Sequence, residues 1–187
     1  YCTQHFDRYT QEDHDVWATL VDRRMELLEE QASEVFLDGV RQLGLDEDHV
    51  PKVEYVNSRL AALTGWQSRP VPGYLPAKAF FACLARRQFP TTIVIRPKEK
   101  LEYLPEPDIF HDVFGHVPLH ADPVFAEFLQ TYGKAALLCD DPYHIERLGR
   151  LFWFTVEFGL IREHGKVKLY GSGLISSIGE SLHALES

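Results

Sequence analysis

Helix boundaries are the features of this chain that most restrict its fold. Thr10 stands three residues ahead of Asp13 in "TQEDHDVWATLVDRRMELLEE", a capping-box arrangement in which the two side chains satisfy each other's free backbone N–H groups. Val16, Leu20 and Leu27 follow at helical spacing. "SEVFLDGVRQLGL" is a second, shorter amphipathic stretch that stops near Gly44. "VPKVEYVNSRLAALTGW" is a third, with Pro51 early and Gly65 as its stop. Asp122-Pro123 and Asp141-Pro142 each set a capping carboxylate before a proline, whose missing N–H is no loss in a first helical turn. The second of these leads into a long helix predicted to run through "RLFWFTVEFGLI". Only "TTIVI" (91–95) is a clear β-branched run, predicted to be a short strand, and "KVKLYGSGLISS" reads as a strand followed by a glycine turn. The expected fold is mainly α with a few short β-strands, in a single domain over 1–187. A helical scaffold would occupy about 10–66. A stiff loop with Pro70, Pro72, Gly73 and Pro76 and a short helix bearing Phe80 and Phe81 would then open a site-bearing region at about 70–180.

A chain of 187 residues buries roughly 70% of the surface its unfolded form exposes, so it folds without a disulfide or a structural metal. Any metal it holds is therefore expected to be functional. Lys and Arg total 19 against 28 Asp and Glu, a formal charge of -9, which argues against a phosphate-facing nucleic-acid surface. Cys2, Cys83 and Cys139 are odd in number, far apart and without a CxxC pair. They read as reduced, mostly buried thiols in a reducing, cytoplasmic compartment. No apolar run approaches the ~18–20 residues that span a bilayer, so no membrane partner is expected. The chain starts at Tyr1 rather than Met and stops inside a plausible helix, so truncation is expected at both ends.

"PDIFHDVFGHVPLH" (107–120) gathers three of the nine histidines in a largely apolar segment. On a regular helix His111 and His116, five residues apart, point about 140° away from each other. Gly115 is expected to end or bend the helix and turn the second imidazole toward the first. In "LFWFTVEFGLI" Glu157 is the lone charge in an apolar run, and carboxylates are rarely buried unless paired or bound to a metal. Two neutral imidazoles and one carboxylate make a facial set that suits non-haem Fe(II) with open positions, and equally suits Zn(II) with a bound water.

Taken together, "LEYLPEPDIFHDVFGHVPL", "FWFTVEFGL" and "YGSGLISSIGE" resemble the catalytic domain of the pterin-dependent aromatic amino acid hydroxylases. "GYLPAKAFFACLARRQFP" is similar to the bacterial members that act on phenylalanine. The resemblance runs from about Tyr9 to the end and is strongest over 70–180. It implies Fe(II) held by His111, His116 and Glu157, and a tetrahydrobiopterin-type cofactor stacked on Phe80 with backbone contacts around Gly73 and Leu75. It implies that Arg96 binds the substrate carboxylate, that Asp108 supports that arginine, that Trp153 lines the substrate pocket, and that Ser176 stands beside the first histidine as a catalytic and substrate-contacting residue. His120 matches no ligand and is expected to lie behind the ligands or on the surface. The implied activity is insertion of one oxygen atom of O2 into an aromatic amino acid, phenylalanine to tyrosine, with tryptophan and tyrosine as alternative substrates. Partners would be small molecules only, and the chain would be a monomer.

Asp112 and Phe152 depart from the animal members, which carry glutamate and tyrosine there; both positions border the implied pterin site. Two rival readings use the same residues. A zinc hydrolase would need a general base, Glu106 or Asp112, and a non-catalytic binding module would not need all three ligands intact.

Overall fold

The computed structural model describes residues 1–102 and 106–186; Tyr103, Leu104 and Pro105 of the quoted motif lie outside the described residues. Helix α1 (Gln11–Gln31) begins as its cap demands. Thr10 Oγ1 accepts from the Asp13 N–H, and Asp13 Oδ2 accepts from the Thr10 N–H at 2.7 Å. The buried stripe of α1 is Val16, Trp17, Leu20, Val21, Arg24 and Leu28, whereas Leu27 is only half-buried. An arginine therefore sits where an apolar residue is expected. Ser33 caps α2 (Glu34–Leu43), which ends at Gly44, and α3 (Val53–Leu63) follows.

Two strands differ from expectation. Gln67–Pro70 forms β1, which pairs in parallel with β2 at Gln88–Thr91, on the far side of helix α4 (Ala77–Ala85). The predicted strand at 91–95 shares only Thr91 with β2. Its remaining backbone groups are claimed elsewhere, because the Thr92 N–H donates to Asp112 Oδ2 (2.7 Å) and the Val94 carbonyl accepts from the Ile109 N–H (2.8 Å). That run hangs on the histidine segment instead of lengthening the sheet.

The histidine segment is a helix of unusual winding. Phe110–His116 is π-helical, followed directly by a 3-10 turn at Val117–Ala121. Asp122 then caps α5 (Pro123–Leu137) through the Phe125 N–H, and Asp141 caps α6 (Pro142–Phe152) through the Tyr143 N–H, each with its proline in the first turn. The long helix expected through Ile161 does not form. Beyond Phe152 the chain widens into a second π-helical turn, Trp153–Glu157, and Leu160 and Ile161 belong to β3 (Leu160–Glu163). β3 pairs antiparallel with β4 (Lys166–Leu169) across a turn in which His164 and Gly165 both take positive φ, as a tight hairpin turn requires. The expected glycine turn contains a four-residue helix, α7 (Ser172–Ile175), before α8 (Ile178–Glu186) closes the described chain. The described residues are thus mainly helical with two small two-stranded sheets.

One aromatic cluster positions the site. Phe110 and Phe114, both fully buried, stack at 4.7 Å, with Trp17 of α1 and Phe36 of α2 edge-on against them. Gly39 of α2 packs so closely on the 3-10 turn that a Cβ there would lie 2.1 Å from the Pro118 carbonyl oxygen. Cys83 is buried as expected, but Cys2 and Cys139 are only half-buried.

Candidate metal centre

The aromatic face of the Phe110–His116 segment is fixed in the core, which leaves the opposite face for polar side chains. Hydrogen bonding from i to i+5 sets residues five apart one above the other, so His111 and His116 meet on the same side. Gly115 does not end the helix, contrary to one of its two expected roles: the π-helical segment runs on through His116. The winding aligns the imidazoles, and the missing side chain of Gly115 lets Ser172 approach. A Cβ on Gly115 would sit 3.2 Å from the Cβ and from the carbonyl oxygen of Ser172.

Glu157 arrives from the second π-helical turn. Its Oε1 lies 3.2 Å from His111 Nε2 and its Oε2 lies 3.1 Å from His116 Nε2. One donor atom from each of the three residues falls within 4.8 Å of the others, the span of a first coordination sphere. His111 Nδ1 is 2.8 Å from Ser176 Oγ, an orientation that leaves Nε2 facing Glu157. His116 is 5% exposed, and its buried Nδ1 has no hydrogen-bond partner among the described residues. Burial disfavours the charged form of Glu157, but His116 and then His111 outweigh it and hold the carboxyl well below the usual carboxylate range. Burial would lower His111; the Glu157 carboxylate, followed by Asp112 and Asp108, more than reverses this and raises it.

Asp108 joins the cluster to Arg96. Its Oδ1 accepts from the His111 backbone N–H (3.0 Å) and from Arg96 Nη2 (2.9 Å), and its Oδ2 accepts from Arg96 Nε (2.8 Å) and from the Arg96 N–H (3.0 Å). Arg96 Nη1 donates to the Leu101 carbonyl (3.1 Å). Of the five N–H groups of the guanidinium, two have no acceptor among the described residues. Both side chains are buried.

Trp153 lies on the same π-helical turn as Glu157, is 55% exposed, and tilts against Phe158 at 4.8 Å. Phe80 is half-buried and meets Phe152 edge-on at 5.3 Å and Phe89 at 6.0 Å, and both of those rings also pack against His116. Phe80 is thus one ring removed from the cluster. Gly73 and Leu75 stay on the loop before α4 and make no hydrogen bond to the cluster among the described residues. His120 is buried behind His116, its Nδ1 on the His116 carbonyl at 2.9 Å, so its place is behind the candidate ligands and not on the surface. Two contributors were missed from sequence. Ser172 carried no signal except its small neighbours in "GSGLIS". Arg24 was a visible charge on the apolar stripe of α1.

Two imidazoles and a carboxylate converging in a largely buried, mainly helical shell define a candidate mononuclear metal centre. The comparisons with known proteins agree with that class and narrow it. Residues 5–187 match the model of the biopterin-dependent aromatic amino acid hydroxylases, and the chain belongs to that family. It is 46% identical over 184 residues to phenylalanine-4-hydroxylase of Chromobacterium violaceum, covering 98% of this chain and 62% of that protein. A crystal structure of the C. violaceum enzyme with bound iron(III) and oxidised 7,8-dihydrobiopterin superposes with a TM-score of 0.95 at 46% identity, over 100% of this chain and 68% of that one. A second, with iron and phenylalanine bound, gives a TM-score of 0.92 at 44% identity, over 100% of this chain and 67% of that one.

Proposed function

We propose that this chain carries the active site of an iron- and tetrahydropterin-dependent monooxygenase that converts L-phenylalanine to L-tyrosine. The observation that carries the reading is the convergence of His111, His116 and Glu157 within 4.8 Å, with the far nitrogen of His111 already fixed by Ser176. The residues fit the metal: two neutral imidazoles and one carboxylate suit Fe(II), and they leave part of its coordination sphere open. Bound iron with a reduced pterin would supply the activation of O2.

The protein's own residues do the remaining work. The two N–H groups of Arg96 that have no acceptor among the described residues, steadied by Asp108, would take the amino acid carboxylate. Trp153 would flank the substrate ring, with Ser176 between it and His111, and Phe80 would stack on the pterin near Gly73 and Leu75. Phe89 and Phe152 exclude water from the His116 side. In this reading the helices of about 10–66 support a site built over about 70–180. The setting in this reading is reducing and cytoplasmic, and the partners are the small molecules themselves acting on a monomer.

The zinc-hydrolase reading is the less well supported one. Asp112 Oδ2 is occupied by the Thr92 N–H on a buried side chain, and Glu106 is exposed. Incubation with Fe(II), a tetrahydropterin, O2 and each aromatic amino acid, with products separated by chromatography, decides the matter. Tyrosine from phenylalanine, dependent on both iron and pterin, is expected. Turnover that ignores the pterin would overturn the proposal.

A further inference from the structure

Ser172 is the first residue of α7 and is 1% exposed. Its Oγ lies 3.0 Å from Glu157 Oε2 and 2.8 Å from His116 Nε2, so a single hydroxyl bridges two of the three candidate ligands. A carboxylate only accepts, so the hydroxyl proton goes to Glu157, and that bond is the one that can persist when His116 Nε2 gives its lone pair to an ion. The backbone around it is held from both sides. Gly115 gives α7 room to approach, and Arg24 grips the far end of α7 through the Leu174 carbonyl (3.2 Å) and the Ile175 carbonyl (2.6 Å). The hydroxyl fixes the plane of the Glu157 carboxylate, setting Oε1 toward His111 and Oε2 toward His116.

We propose that Ser172 is a positioning residue of the metal centre, holding Glu157 in the orientation in which it meets the ion. The inference rests on the assignment of His111, His116 and Glu157 as the metal ligands. Groups that hydrogen-bond to ligands commonly change metal affinity by about tenfold to a hundredfold when removed, because the freed ligand must be ordered at the moment of binding.

The test is a Co(II) titration of chelator-stripped protein, followed by the visible absorption of the bound ion, for wild type, Ser172→Ala and Ser172→Thr. Near-ultraviolet circular dichroism of each metal-free protein reports folding. For folded Ser172→Ala, a Co(II) Kd raised about tenfold or more with a displaced absorption band is expected. A Kd within twofold of wild type and an unchanged band would overturn the role of Ser172 while leaving the ligand assignment standing. Wild-type protein that takes up no stoichiometric Co(II) would sink the ligand assignment itself. If Ser172→Ala does not fold, Ser172→Thr decides: a retained hydroxyl with wild-type affinity and band supports the proposal, and lost affinity in a folded protein overturns it. Failure of both variants to fold would make the residue structural and also overturn it.

Discussion

His116 and His120 stand one turn apart and do opposite things. His116 turns Nε2 toward Glu157, whereas His120 is sealed among Trp66, Phe89 and Phe125 with its Nε2 unpartnered. Burial, helped by the charge of His116, pushes the His120 imidazole down to about 3. The unfolded chain binds this proton near 6.5 and the folded chain does not, so stability falls as pH drops from 6.5 toward 3, by up to about 1.4 kcal/mol per pH unit. His120→Phe should flatten that part of the curve. Urea unfolding at stepped pH measures it, and an unchanged slope would rule His120 out as the source. For the ligands the expectation is simpler. His111→Ala, His116→Ala and Glu157→Ala should each lose iron and turnover together, as read by metal analysis and product formation, since two donors hold Fe(II) poorly. Asp108→Ala should act twice, stranding the buried Arg96 charge at a cost of about 3–5 kcal/mol and releasing the His111 backbone N–H. A denaturation midpoint equal to wild type would contradict it.

At the scale of elements, the site depends on two short π-helical turns, Phe110–His116 and Trp153–Glu157, that face each other. A regular helix would aim His111 and His116 apart. The wider winding is held by Phe110 and Phe114 against Trp17 and Phe36 and by the contact of α2 with the turn that follows His116. Gly39 makes that contact backbone to backbone, so Gly39→Ala cannot be absorbed by a side-chain rotation. It should destabilise the fold by about 3 kcal/mol or more, at the upper end for overpacked sites. Thermal melting of the metal-free protein tests this, and an unshifted Tm would mean that α2 can slide.

Across the whole molecule, Arg24 connects the helical scaffold to the site over a sequence separation of 150 residues. Among the described residues it has no carboxylate partner; burial pushes its guanidinium down to about 10, and its acceptors there are the Ile175 and Leu174 carbonyl oxygens. Removing such a charge relieves a desolvation cost while freeing the end of α7 that leads to Ser176. Arg24→Met should therefore change unfolding stability by no more than about 2 kcal/mol, since the two effects oppose. Iron affinity and turnover should drop clearly. Large destabilisation with full iron affinity would make Arg24 a structural residue only.

Local chemistry was legible in the sequence. Thr10 with Asp13, Asp122 with Pro123 and Asp141 with Pro142 act on backbone groups within four residues, so helix starts could be placed without knowledge of the rest of the chain. His111, His116 and Glu157 stood out because isolated polar groups in apolar runs need partners. What the tertiary structure alone decided was how those groups meet. "TTIVI" gives up most of its strand because Asp112 and Ile109 take its hydrogen bonds. The π-winding is set by aromatic packing from helices some hundred residues earlier, and Ser172 and Arg24 reach their partners across 15 to 151 residues. A residue's spacing along the chain carries its helical phase only while the winding is known, and here the winding is fixed by burial of the opposite face.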